Sequence, residues 1–172
     1  MIQKITVIFF IFISTLFAKD TISIEDILKN NYTTEINVQK KSLILTKEES
    51  KIIQKQAKAK LSSKIVRYYE VKKENNTIGH AILLKEKIRT KYAAILYMVD
   101  NNNTMLGIEI VSFKEPSEYK PNDNWKKIFV GKTAEDTLVA GEDIATISGA
   151  TMSARAISNA ARVALAIVKE KL

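Results

Sequence analysis

Between residues 64 and 113 the chain carries four runs of strand-forming residues, and the gaps between them are too short for anything but turns. The runs Lys64–Lys73, Ile78–Lys85, Thr90–Val99 and Met105–Phe113 are rich in Ile, Val, Leu and Tyr, which suit a pleated, half-buried surface. Turn-forming clusters, Glu74-Asn75-Asn76-Thr77 and Asp100-Asn101-Asn102-Asn103, separate them. Parallel neighbours need a crossover of a dozen residues or more, so connections this short mean hairpins and a mostly antiparallel sheet.

Helical signals flank the sheet. Thr46-Lys47-Glu48-Glu49 is a capping box, followed by Ile52, Ile53, Ala57 and Leu61 at helical spacing, which predicts a helix over 47–61. Residues 20–45 read as a mixed lead-in with a short helix from Ile24 to Asn30. Beyond the strands, Pro116 and Pro121 bracket a loop, 122–130 reads as helical and 144–147 as a short strand. The last helix is predicted over 151–171, with Ile157, Ala160, Ala161, Ala164, Leu165 and Val168 as its buried stripe. Neither repeats nor low-complexity tracts interrupt this order. The expected fold is a single α+β domain, a mostly antiparallel sheet with packed helices and a long C-terminal helix.

The first 18 residues stand apart. Lys4 precedes an apolar run from Ile5 to Phe17, which ends at Ala18 before the charged Lys19-Asp20. A basic start, a short apolar core and a small residue at the boundary describe a secretory signal peptide. The run falls short of the ~20 apolar residues of a membrane span. Retention as a membrane anchor is the alternative, because Leu16 is a mediocre residue before a cleavage site. The expected organisation is a signal peptide at 1–18, a lead-in with one helix and the first strand at 19–78, and a domain core at 79–172. An exported protein belongs in a bacterial periplasm, and the absence of cysteine removes disulfides, thiolate catalysis and Cys-ligated haem or iron–sulfur centres.

Loss of the first 18 residues takes Lys4 with it and leaves 26 basic against 19 acidic residues, a net +7. Such a balance suits an anionic partner. Nucleic acid is not expected for an exported chain whose aromatics do not interleave with a basic patch. The single histidine, His80, lies beside Gly79 in a strand without clustered carboxylates, so it reads as structural and no metal site is expected. Met98 and Met105 read as core. No Ser–His pairing or motif-placed acid pair supports hydrolysis.

The stretch with chemistry in it is Ser148-Gly149-Ala150-Thr151, at the head of the C-terminal helix. Backbone N–H groups at that end lack intrahelical partners, and the helix dipole favours negative charge. The residues fit an anion site with an esterifiable threonine. An ordinary Ser or Thr N-cap is the other reading of the same four residues.

Two further segments accompany it. Ile108-Glu109-Ile110-Val111-Ser112-Phe113 runs into Glu115-Pro116, and Trp125-Lys126-Lys127-Ile128-Phe129-Val130 runs into Gly131-Lys132. With Ser148–Ser153, in this order, they make the segment from about Gly79 to the C-terminus resemble the FMN-binding domain family. Its best-known members are the small covalent-flavin subunits of sodium-translocating NADH:quinone reductase and of Rnf-type electron-transport complexes. One position departs from the family pattern: Ala145 stands where members carry an aspartate. Asp143 lies two residues earlier, about 6–7 Å along an extended chain. The departure bears on how efficiently a modifying enzyme reads the segment, and it leaves the acceptor threonine in place.

The resemblance implies that a flavin transferase, using FAD and magnesium, esterifies FMN through its phosphate onto Thr151, giving phosphothreonyl-FMN. Ser148, Gly149, Ala150, Met152 and Ser153 would surround the phosphodiester, with the N–H groups of Met152, Ser153 and their neighbours beneath it and Arg155 one turn further on. Trp125 and Tyr119 are the candidates for stacking on the flavin ring, and Glu115 for bonding to the ring or ribityl chain; each is also explicable as core or surface. The implied function is a periplasmic electron carrier working with a redox partner protein or a membrane electron-transport complex. Two other classes stay open: an accessory module that has kept the fold without covalent flavin, and a small flavin-dependent extracellular reductase.

Overall fold

A computed structural model describes residues 23–32 and 35–172. The expected signal peptide at 1–18 lies outside the described residues. Within them, no helix is long and apolar enough to cross a membrane. The chain runs α1 (Ile24–Asn31), β1 (Asn37–Ile44), α2 (Lys47–Ala57), β2 (Ile65–Lys73), β3 (Asn76–Lys87), β4 (Tyr92–Asp100), β5 (Met105–Phe113), α3 (Asp123–Lys126) and α4 (Thr151–Lys171). Its five strands pair in sequence order, every pair antiparallel. The fold is α+β, a single domain, as the strand runs and turn clusters predict.

The turns are built by the residues that announced them. Asp100 Oδ1 accepts from the N–H groups of Asn102 and Thr104 at 2.9 and 2.8 Å, and Asn103 takes a left-handed φ of 60°, which Asn tolerates better than most residues. Glu74 makes the β2–β3 turn, also at positive φ.

β4 is buried on both faces and so reads as an unbroken apolar run, Ala93 to Val99. On one face Ile82, Ile95, Tyr97 and Val99 pack with Ile53 of α2 and with Ile157, Ala161 and Leu165 of α4. On the other, Leu96 and Met98 pack with Tyr69, Val71, Ala81 and Leu28 of α1. The alanines of α4 let its backbone lie close to the sheet, and the Tyr97 hydroxyl donates to the Ile157 carbonyl at 3.0 Å. Each fully buried aliphatic side chain in these layers contributes about 1.5–3 kcal/mol relative to exposure.

Gly79 is required by space. A Cβ there would lie 2.4 Å from the Val99 carbonyl oxygen and 2.5 Å from the Tyr32 ring. Tyr32 fills the position, its hydroxyl donating to the carbonyls of His80 and Val99 and accepting from the Val99 N–H. Through this contact the end of α1 is fastened to the middle of the sheet.

Three expectations are corrected. The lead-in contains a full strand, β1, whose burial alternates only weakly because it is a polar edge strand carrying Lys40 and Lys41. The second helix ends at Ala57 rather than 61, because Lys58 turns left-handed and its N–H folds back onto the carbonyls of Gln54 and Lys55. Residues 144–147 form no strand, only an isolated bridge between Ala140 and Ile144. α2, from the lead-in, shares its core with α4.

Candidate functional site

The segment from Gly131 to Ala150 is irregular, and its shape is fixed by backbone hydrogen bonds to side chains. Its start is tied to β5, Met105 N–H donating to the Lys132 carbonyl at 2.7 Å and Gly131 N–H to the Met105 carbonyl at 2.8 Å. Asp136 accepts from the Thr133 N–H and pairs with Lys132 at 3.0 Å; these bonds hold its carboxyl below the ordinary value and raise that of the lysine. Asp143 accepts from the N–H groups of Leu138 and Val139 at 2.9 and 2.7 Å. Burial alone would raise the Asp143 pKa, and these bonds outweigh it and lower it. Ile144, fully buried, anchors the segment in the core.

Trp125 supplies the next fixed point. Asn122 caps α3 by accepting from the Trp125 N–H at 2.9 Å. That sets the indole against Phe129, edge to face at 5.2 Å, and its Nε1 donates to the Ala145 carbonyl at 2.7 Å. The ring is 7% exposed. Trp125 therefore holds the strip of chain that leads into Ser148, with its ring in the core.

At the head of α4 the capping arrangement differs from that of the earlier helices. Ser23 and Thr46 close capping boxes on α1 and α2. Ala150, the N-cap of α4, offers no side-chain hydrogen bond, and the first turn contains no acid. The N–H groups of Ser153 and Ala154 both donate to the Ala150 carbonyl, at 3.0 and 3.2 Å. Those of Thr151 and Met152 find no acceptor among the described residues. Of the N–H groups expected beneath a phosphodiester (those of Met152, Ser153 and their neighbours), Thr151 and Met152 are free and Ser153 is engaged by Ala150. Ser148 and Gly149 are exposed and Thr151 is half-buried. Gly149 has φ of 74° with open space where a Cβ would stand, so its need is conformational rather than steric. Ser153 is fully buried, and its Oγ has no hydrogen-bond partner.

These features fit a phosphate. Two free N–H donors, a helix dipole unopposed by acids, and an orphaned hydroxyl in the first turn are what an anion would satisfy. Arg155, exposed on the second turn, pairs with no carboxylate among the described residues.

Glu115 and Tyr119 belong to a different corner. The Glu115 Oε1 accepts from the N–H groups of Arg89, Thr90 and Lys91 at 3.0, 2.6 and 2.8 Å, closing the β3–β4 turn. Its carboxyl is held below the ordinary value, chiefly by the Lys91 N–H. Tyr119 sits in a short 3-10 turn with the Arg89 guanidinium 4.5 Å over its ring. The fold thus brings Trp125 to Ala145, three residues before Ser148, whereas Glu115 and Tyr119 bind to the Arg89–Lys91 turn. Sequence reading missed the Ala145 carbonyl as Trp125's partner, since a backbone acceptor leaves no signature in side-chain pattern.

His80 is buried in β3 against Tyr68, ring centroids 6.1 Å apart, and desolvation lowers its pKa. Met98 and Met105 are fully buried. Neither of two clefts includes residues 148–153: one of about 400 Å³ lies over β3–β5, and one of about 650 Å³ lies between α2, α4 and residues 134–142.

Comparison with known proteins adds one match. Residues 92–166 match the model of the FMN-binding domain. No curated protein and no solved structure matches the chain. The matched span starts at β4, includes Trp125 and Ser148–Ser153, and ends inside α4. Over residues 92–166 the chain thus matches an FMN-binding domain, which supports FMN as the cofactor.

Proposed function

We propose that this chain is an exported electron-transfer flavoprotein whose FMN is joined through its phosphate to Thr151. The observation that carries the reading is the head of α4, where Thr151 stands half-buried at a helix start with two free N–H donors and the orphaned Ser153 hydroxyl. In the attachment, Thr151 Oγ1 forms an ester bond to the flavin-side phosphorus of FAD. The P–O–P bond breaks, AMP leaves, and the threonine proton passes to solvent. A flavin transferase with magnesium is the partner that this step requires.

The free Thr151 and Met152 N–H groups would hold the phosphate of the attached FMN. The helix dipole adds about 0.3–1 kcal/mol per anionic charge. Ser153 Oγ, buried and without a partner, would be the nearest side-chain donor in the first turn, Gly149 gives the turn its left-handed step, and Trp125 keeps the preceding chain in register by holding Ala145. The bound isoalloxazine supplies one- and two-electron redox chemistry. A covalent tether suits a protein outside the cytoplasm, where a dissociated cofactor is lost by dilution. The signal-peptide pattern at 1–18 supports export, and the electron partner is a membrane electron-transport complex or a soluble redox protein.

A second reading, an accessory module without covalent flavin, is favoured by one observation. Ala145 is exposed and brings no carboxylate, and Asp143 is committed to Leu138 and Val139. Acid precipitation after co-expression with a flavin transferase separates the readings. Flavin fluorescence that stays with denatured protein supports covalent attachment; fluorescence released wholly to the supernatant supports the second.

A further inference from the structure

Among the described residues, the sheet face that carries α1 is covered at one end only. Leu28 packs on Leu96 and Met98, and the same face continues along β4 to Ala94 and Tyr92 with no described helix above it. There the cleft of about 400 Å³ opens, lined by Lys85, Lys91, Tyr92, Ala94, Ser112 and Lys114 among others. Its size lies in the lower part of the range for small-molecule sites, roughly 300–1,000 Å³.

The register explains its shape. Lys85 opposes Ala94 and Ala94 opposes Ser112, so the three side chains stand side by side on one face. Ala94 and Ser112 are too short to rise from the sheet and leave a flat shelf. Tyr92 stands beside it with the Lys85 ammonium 4.6 Å from the ring centroid. The ammonium groups of Lys85, Lys91 and Lys114 make no ion pair among the described residues. The carboxylate next in sequence, Glu115, has its Oε1 taken by three backbone N–H groups. The cleft is therefore concave, apolar on its floor and positive on its rim.

We infer that this cleft binds a planar organic anion of about two fused rings, its ring lying on the Ala94–Ser112 shelf against Tyr92 and its acidic group meeting Lys91 and Lys114. The pairing follows from charge complementarity on the rim and from a floor that accepts a flat apolar body. It does not rest on covalent flavin, since no residue of the 148–153 segment lines the cleft.

The test is a titration of 2-naphthoate into the isotope-labelled full-length chain, followed by backbone amide shifts, with 2-naphthamide as the neutral control. The expected result is saturable shifts at Tyr92, Ala94 and Ser112 with residues 150–153 unmoved. Binding is expected to be about tenfold weaker for the amide, and for a Lys91→Gln, Lys114→Gln double variant, as removal of charge-assisted contacts implies. Both lysines are exposed, so that variant keeps its fold, checked by an unchanged spectrum elsewhere. Absence of saturable shifts at the shelf into the millimolar range would overturn the proposal. So would equal affinity for acid and amide, or shifts that map to the head of α4 instead.

Discussion

The indole Nε1 of Trp125 donates to the carbonyl oxygen of Ala145 at 2.7 Å, and this bond ties the α3 turn to the chain that presents Thr151. An aromatic residue that sequence reading offers as a stacking surface thus also bonds to the backbone that leads to Thr151, and we propose that it positions that backbone. Trp125→Phe keeps most of the packing against Phe129 and removes the N–H. The expected cost is about 1–2 kcal/mol, from the lost bond and an unsatisfied carbonyl, read as a lower urea midpoint with unchanged slope. Flavin loading at Thr151 is expected to fall as well. Loading that stays at the wild-type level would contradict the positioning role.

Ala145 is exposed, so a carboxylate there has room. Ala145→Asp is expected to raise the fraction of chain flavinylated by a co-expressed transferase, with little change in melting temperature. Measured by the ratio of flavin absorbance to protein, an unchanged fraction would mean that position 145 does not govern recognition.

Glu115 closes the β3–β4 turn as a carboxylate. Its pKa is lowered in the folded chain, first by the Lys91 N–H, so its contribution is complete above the ordinary value near 4.5. That contribution is lost as pH falls through the lower folded-state value. Glu115→Gln should lower stability at neutral pH and flatten the acid limb of a stability–pH curve below 4.5. If the curves of the two proteins stay parallel there, the carboxylate is not what the turn requires.

His80 gives a slope at higher pH. Burial lowers its pKa from the ordinary value of 6.5, so the unfolded chain takes up the proton first as the solution is acidified. Stability therefore declines as pH drops below about 6.5 and levels off once the folded-state value is passed. His80→Gln is expected to remove that decline, as followed by thermal melts from pH 7.5 to 5. A decline of the same size in the variant would assign it to other groups.

The strands were legible because β4 and its neighbours carry unbroken or alternating apolar runs bounded by Asn and Asp clusters, and the cap at Thr46 announced α2. β1 was hidden because an edge strand with Lys40 and Lys41 has little apolar pattern to show. Lys58 ends α2 in a left-handed conformation that sequence does not signal without Gly or Asn. At the site, Ser148–Thr151 was readable as a helix head able to hold an anion, since that follows from local chemistry. The employment of Glu115, Trp125 and Asp143 was not, because all three bond to backbone groups whose positions only the tertiary fold sets.

An ester between FMN and Thr151 adds a fixed mass to the chain, and intact mass spectrometry reads it. The wild type and Thr151→Ala are each co-expressed with a flavin transferase and weighed under denaturing conditions. The expected result is a wild-type mass increased by one FMN less one water, with the variant unmodified. A wild-type chain without added mass, or equal added mass in both, would contradict it.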